Sequence, residues 1–370
     1  MKRNRWVAAT TLFTAALGML GMAAPGVVAA ATAPTTFDGT MGDACVGHSG
    51  ATAGETFKLV WRDADGALVA RRNVTVDSDG AWSVCATDHL LSAGDKLKAT
   101  NDGGTHDLVV PRLTIAVNRV HNYLSGRGPA NEAVRVACDF SNGFEPCTWH
   151  DGVRVGPKGY WSLKLPFDNP PTGGDVYDAS WASGDGDHIT AYGQAPFVTA
   201  ELGSAKVSGA LDAGKTAKIR LFDSSMALKG TAVATGALEA NNSGSFTAVF
   251  RDSHGNPVDV QPGDTIDAKK LSTDSEFVVP TIVATATASN DRVKGQCENT
   301  PASQGYANVE LYRDGTQRGF AGFEGEDGAF SFNFRKVRFG SPANVKPGDR
   351  VVIDCIQAGG DGVLLAIHAN

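Results

Sequence analysis

The sequence predicts an all-β protein made of four tandem β-sandwich repeats behind a cleaved signal peptide. Three observations predict it. Glycine and β-branched residues are plentiful, and no long segment carries a helical period. Short runs alternate apolar and polar residues between Asp- and Gly-rich turns, as in antiparallel sheets with one dry and one wet face. Three marker motifs recur in the same order four times.

The first element is the leader. Met1-Lys2-Arg3-Asn4-Arg5 is basic, a mostly apolar run extends from Trp6 to Met22, and Ala29-Ala30-Ala31 precedes Thr32-Ala33-Pro34. This is the layout of a secretory signal peptide, residues 1–31. A membrane anchor is the alternative, but Thr10, Thr11, Thr14 and Gly18 interrupt the run and a cleavage site follows it. No later stretch reaches the ~18 apolar residues that cross a bilayer, so no membrane span is expected in the mature chain. The C-terminal residues lack an apolar tail with a basic end, and no Cys follows the cleavage region. The expected location is extracellular, either released or held non-covalently at the cell surface.

The chain carries 33 Lys and Arg against 40 Asp and Glu, a formal charge of −7, and loss of Lys2, Arg3 and Arg5 with the leader makes it more acidic. That favours solubility and argues against a nucleic-acid partner.

The repeats follow. One marker is Gly before an aromatic: Gly80-Ala81-Trp82, Gly159-Tyr160-Trp161, Gly244-Ser245-Phe246 and Gly328-Ala329-Phe330. A second is Gly-Asp: Gly94-Asp95, Gly174-Asp175, Gly263-Asp264 and Gly348-Asp349. A third precedes both: Gly54-Glu55, Asn131-Glu132, Gly214-Lys215 and Gly305-Tyr306. Between them Phe57, Leu59 and Trp61 alternate with Lys58 and Arg62, and Ile219 and Leu221 alternate with Lys218 and Arg220. The copies are read as 34–111, 112–197 (divergent and aromatic-rich), 198–280 and 281–370. Their joints run through Pro111, Pro196 and Pro280. Proline removes slack, which predicts a semi-rigid string of modules; packing of neighbours into a cluster is the alternative.

The order V-x-G, D-x-D-G-x-[FW] and P-G-D resembles the bacterial immunoglobulin-like repeats of secreted and surface proteins. It is carried by Asp77-Ser78-Asp79-Gly80-Ala81-Trp82, Val207-Ser208-Gly209, Pro262-Gly263-Asp264, Val293-Lys294-Gly295 and Pro347-Gly348-Asp349. The resemblance implies an immunoglobulin-like sandwich in each copy. Its motifs are turn markers, so it implies a fold and no ligand. Copy two departs most, with Gly156-Pro157-Lys158-Gly159-Tyr160 in place of the acidic turn.

Six cysteines in an exported chain favour disulfides. Cys45 and Cys85 lie in copy one, Cys138 and Cys147 in copy two, and Cys297 and Cys355 in copy four. Pairing within copies leaves none over, each bridge contributing roughly 2–4 kcal/mol. Cys85 should face outward, because Trp82 and Val84 share the inner face.

No chemistry declares itself. The histidines show no H-E-x-x-H, no Ser sits in G-x-S-x-G, and His150-Asp151 and Asp187-His188 are only adjacent pairs. Asp63/Asp65, Asp77/Asp79 and Asp185/Asp187 offer oxygen ligands, with calcium as the alternative to plain turn acids. The expectation is no catalytic residue, no metal and no cofactor. Copy two holds about a third of the aromatics, including Tyr123, Phe140, Phe144, Trp149, Tyr160 and Trp161. Trp149, Tyr177 and Trp181, near Gly- and Asp-rich loops, are the candidate ligand-binding residues; core packing is the competing reading. The functional expectation is a non-enzymatic extracellular scaffold or adhesion module whose partner is a protein or glycan. The alternative is a carbohydrate-binding protein.

Overall fold

The computed structural model describes residues 35–140, 150–165, 171–237, 243–269, 276–298, 306–324, 328–337, 340–357 and 359–370. The leader, Cys147 and Trp149 lie outside the described residues. The described residues are β-strands joined by turns, with two single-turn 3-10 helices.

Module 1 contains β1 (Asp38–Thr40), β2 (Cys45–Ser49), β3 (Thr56–Arg62), β4 (Leu68–Thr75), β5 (Ala81–Cys85), β6 (Lys96–Asn101) and β7 (Gly104–Val109). Module 2 contains β8 (Thr114–Asn118), β9 (Tyr123–Arg127), β10 (Ala133–Phe140), β11 (His150–Arg154), β12 (Tyr160–Lys164), β13 (Val176–Ala182) and β14 (His188–Gln194). Module 3 contains β15 (Phe197–Glu201), β16 (Lys206–Asp212), β17 (Thr216–Phe222), β18 (Leu228–Thr235), β19 (Ser243–Val249), β20 (Thr265–Asp267) and β21 (Glu276–Val278). Module 4 contains β22 (Ile282–Thr287), β23 (Arg292–Cys297), β24 (Tyr306–Arg313), β25 (Thr316–Glu324), β26 (Ala329–Asn333), β27 (Gly340–Ser341), β28 (Arg350–Ile356) and β29 (Gly362–His368).

All four modules repeat one strand order. The first, second and fifth strands form one sheet, as in β8-β9-β12; the fourth, third and last two strands form the other, as in β4-β3-β6-β7, with the short β27 added at the β25 edge in module 4. Two of the sequence markers turn out to be halves of one contact. The glycine of V-x-G lies on the second strand, directly opposite the aromatic of the fifth: Gly126 faces Trp161, Gly209 faces Phe246 and Gly295 faces Phe330. A Cβ on Gly209 would sit 2.0 Å from the Phe197 carbonyl and 3.1 Å from the Phe246 ring. Only glycine lets the backbones close while the ring crosses above. Module 1 departs, placing His48 opposite Trp82.

The modules are not separate beads. β1 pairs in parallel with β14, so that module 1's small sheet continues module 2's large one as β11-β10-β13-β14-β1-β2-β5. β15 pairs in parallel with β29 in the same way, giving β19-β16-β15-β29-β28-β24-β25-β27. Both cores lie on one face of each wide sheet, because Gly39 pairs with buried Ile189, and buried Ala200 with buried Val363. One continuous apolar core therefore serves modules 1 and 2, and another serves modules 3 and 4. Within each pair the alternative to a semi-rigid string, packing of neighbouring modules on one another, is what the shared sheet and core show. Each seam is fixed by a buried aspartate ahead of the last even-module strand. Phe37 N–H donates to Asp187 Oδ1 at 2.9 Å, and Val198 N–H donates to Asp361 Oδ1 at 2.8 Å. The two pairs touch where Arg119 reaches Asp361 at 3.3 Å and Gly173 N–H donates to the Gly359 carbonyl.

The disulfides follow two designs. Cys45 and Cys85 are bonded and directly opposed on β2 and β5, on the outer face as the alternation required. Cys297 and Cys355 are bonded and buried, joining β23 of one sheet to β28 of the other through the core. Cys138 is disulfide-bonded; its expected partner Cys147 lies outside the described residues.

Candidate binding surfaces

The carboxylates that repeat through the sequence are committed to turns. Asp95, Asp175, Asp264 and Asp349 are all buried. Each accepts a hydrogen bond from the backbone N–H three residues earlier, at Ser92, Thr172, Gln261 and Lys346. The preceding glycines, Gly94, Gly174, Gly263 and Gly348, have φ between 83° and 91°, which turns the chain back under the carboxylate. The remaining acceptor capacity differs by module: Trp61 and His89 serve Asp95, Lys229 serves Asp264, and Arg313 serves Asp349 through both oxygens. The Arg313 guanidinium holds the Asp349 carboxyl below its ordinary range.

One acid of each pair weighed for calcium has the same fate. Asp63 Oδ1 accepts from Ala67 N–H, Asp77 Oδ1 accepts from Asp79 and Ala81, and Asp187 Oδ1 takes Phe37 N–H and His106. Among the described residues no three His, Cys, Asp or Glu side chains are grouped to hold a metal ion. Two histidines among the described residues have a hydroxyl and a carboxylate beside them: His254, on an exposed turn 3.4 Å from Ser253 Oγ and 3.9 Å from Asp252, and His48. His48 Nδ1 is 2.9 Å from Asp38, and Thr36 Oγ1 is 3.2 and 3.3 Å from its two ring nitrogens. A hydroxyl equidistant from both nitrogens is off the lone-pair axis of either, which is the wrong geometry for a base activating a nucleophile.

The sequence-selected aromatics are not at the surface. Tyr177 is 6 % exposed and Trp181 8 %, and both point into the core shared by modules 1 and 2. This corrects the expectation that they present their rings to a ligand. On β13 they alternate with Asp178 and Ser180, so the strand's period turns them inward with Ala179. Burial pushes the Tyr177 hydroxyl pKa upward, and the Trp181 indole N–H donates to the Glu132 carboxylate. Trp149 lies outside the described residues.

Among the described residues, module 2 exposes the rings of two other tyrosines. Tyr123 is 40 % and Tyr160 55 % exposed, on the outer face of β12-β9-β8. Tyr160 is opposite Arg127, whose guanidinium carbon is 3.5 Å from the ring centroid. Tyr123 is opposite Lys164, whose ammonium is 4.5 Å from its ring. Ser125 and Ser162 face each other between these pairs. The signal was present in the alternation, which turns Trp161 in and Tyr160 out. Proximity to loops was the weaker guide.

Two shallow clefts lie elsewhere, one on module 4 and one on module 1. One, about 640 Å³, is lined by Tyr312, Arg313, Asp314, Lys346, Arg350 and His368. The other, about 460 Å³, lies between β4 and β5 and includes Arg72, Asp77 and Cys85. In the first, Asp349 and Arg313 neutralise each other. Neither brings two free carboxylates across a gap.

No family model and no curated protein matches the sequence. Solved structures align over most of its length. The tetra-tandem repeat in the extending region of a large adhesion protein is 17 % identical, with a TM-score of 0.19, over 90 % of this chain and 99 % of that one. A structure concerning host cell surface retention of a 1.5-MDa bacterial ice-binding adhesin is 17 % identical, with a TM-score of 0.16, over 70 % and 96 %. Domains FN1–FN3 of chicken CNTN1 are 9 % identical, with a TM-score of 0.21, over 91 % and 100 %. Scores this low carry no argument about activity or module arrangement. The β-sandwich architecture rests on the strand pairing described above.

Proposed function

We propose that this chain is an exported, non-enzymatic scaffold or adhesion module that meets a protein or glycan outside the cell, with modules at 34–111, 112–197, 198–280 and 281–370. The observation that carries the reading is where the polar chemistry goes. The four repeated aspartates and the two seam aspartates are spent on turns and on joining modules. Disulfides in modules 1 and 4 support an oxidising compartment. The test is saturable binding of the mature protein to immobilised cell-wall and extracellular-matrix material, run beside a hydrolase substrate panel. Turnover abolished by a single-residue change would overturn the reading.

The second reading, carbohydrate binding through module 2, is favoured by one observation: Tyr123 and Tyr160 stand exposed on a flat face with serines between them. It moves from the buried Tyr177 and Trp181 to this pair. On a glycan array, Tyr160→Ala should abolish any module 2 signal while the melting temperature holds. A signal that survives it ends this reading.

A further inference from the structure

The outer face of β4-β3-β6-β7 in module 1 concentrates positive charge in an acidic protein. Alternation along β3, β4 and β6 turns Phe57, Leu59, Trp61, Ala70, Leu97 and Ala99 inward. The same alternation sends Lys58, Arg62, Arg71, Lys96 and Lys98 outward. The register gathers these five into one patch: Arg62 faces Lys96, while Val60 faces Lys98 on one side and Arg71 on the other. Asp107 is the carboxylate on this face, 3.4 Å from Lys98, with both side chains exposed. The chain as a whole has a formal charge of −7.

Like charges directly opposed across strands are destabilising, and a face that needed only solvation would not place arginine opposite lysine. The equivalent sheet of module 3 avoids this. There Arg220 pairs with Asp267 and Lys269 with Glu276. Module 1 therefore keeps an excess of cations where module 3 pairs Arg220 and Lys269 with carboxylates.

We propose that this face binds an anionic polysaccharide. The proposal rests on the extracellular reading and adds a ligand class to it. With strands about 4.8 Å apart and residues on one face about 7 Å apart along each, the cations form a grid suited to charges spaced along an extended polymer. The outward apolar residues among them, Val60, Leu68 and Val109, include no aromatic. Single-stranded nucleic acid is held by stacking on aromatic rings as well as by charge. Duplex major grooves admit a helix or a two-stranded ribbon, and this flat face has four strands. Recognition by charge alone fits a sulfated or uronate chain.

The test measures binding of the full mature protein to immobilised heparin, polygalacturonate and neutral dextran, with a DNA duplex as competitor. Binding is expected to heparin or polygalacturonate and not to dextran, falling on the order of tenfold or more between about 50 and 200 mM salt. Which polyanion binds tells sulfate from carboxylate. The double variant Lys96→Glu/Lys98→Glu should lose at least tenfold in affinity. Its melting temperature should stay near that of the parent, because the repulsion relieved between Lys96 and Arg62 is offset by the Lys98–Asp107 ion pair that is lost. Lys218→Glu/Lys294→Glu, on exposed strand positions of modules 3 and 4, should leave binding unchanged. Should the first variant fail to fold, Lys58→Gln/Arg71→Gln measures the same loss. Absence of binding at low salt, binding indifferent to charge reversal, or tighter binding to the duplex overturns the proposal. None of these outcomes touches the scaffold reading, which falls on turnover.

Discussion

Odd and even modules share one strand order and differ at one edge. In modules 2 and 4 the edge of the last strand is covered by a strand from the preceding module; in modules 1 and 3, among the described residues, the last strand pairs with its own neighbour alone, β7 with β6 and β21 with β20. The difference teaches that the structural unit is a pair. An odd module shares its first strand, which pairs with its own second strand on one side and with the last strand of the even module on the other.

The largest effect should come from cutting a pair. Residues 34–197 should unfold in one transition, whereas 34–111 and 112–197 made separately should melt lower by on the order of 10 °C, since a few kcal/mol of shared core is lost. Differential scanning calorimetry decides this, and equal melting temperatures would dissolve the pair as a unit. Next is the crowded second strand. Gly209→Ala forces a Cβ against the Phe197 carbonyl at φ 155° and should cost about 2–3 kcal/mol in urea unfolding. His48→Gly should cost far less, because module 1 already accommodates a side chain there. A smaller loss, ~1–3 kcal/mol, is expected for Asp187→Ala, which strands the Phe37 N–H at the seam. Asp185→Ala, two residues away on an exposed turn, is its control.

The smallest effect sharpens the comparison through pH. Asp354 lies on β28, next to the seam strand β29. One oxygen of its carboxyl is sealed from solvent without a hydrogen-bond partner, although the residue as a whole is only partly covered. Burial, with Glu310 adding repulsion, pushes its pKa up to about 7. Asn308 and Leu364 stand opposite it on the flanking strands, and Glu201 lies beyond Leu364. Between roughly pH 4 and 7 the folded state holds a proton that the unfolded state has released, so this group's contribution is present at low pH and lost as pH rises. Asp354→Asn should therefore raise the melting temperature at about pH 8 and lose that advantage by about pH 4. An unchanged difference across that range would show the carboxyl titrating normally. Asp349 runs the opposite way: its depressed pKa gives stability at neutral pH that fades on acidification.

Alternation and turn chemistry carried the fold. They turned Leu59 and Trp61 inward, put Cys85 outside and identified the Gly-Asp turns. They could not show that β1 pairs outside its own module, because alternation tells which face a residue takes and not which strand lies beside it. A local clue existed: both even copies have Gly-Asp just ahead of the last strand, Gly186-Asp187 and Gly360-Asp361, and the odd copies do not. For the sites, net charge misled. An overall −7 conceals a basic face, because its cations sit at every second residue of strands whose other positions are apolar. Loop proximity misled for Tyr177 and Trp181, where the period of β13 decided burial.

The parallel seam also sets how the molecule answers a pull. β1 leads back toward the N-terminal end of its pair, and β14 leads on toward the next pair. Tension along the chain draws two parallel strands in opposite directions, so their hydrogen bonds are loaded together in shear and do not open one at a time. The seam spans only Asp38–Thr40 against His188–Thr190, yet it stands in the load path ahead of both cores. Pulling a pair by its ends in a force-spectroscopy experiment should rupture this seam before either sandwich unravels.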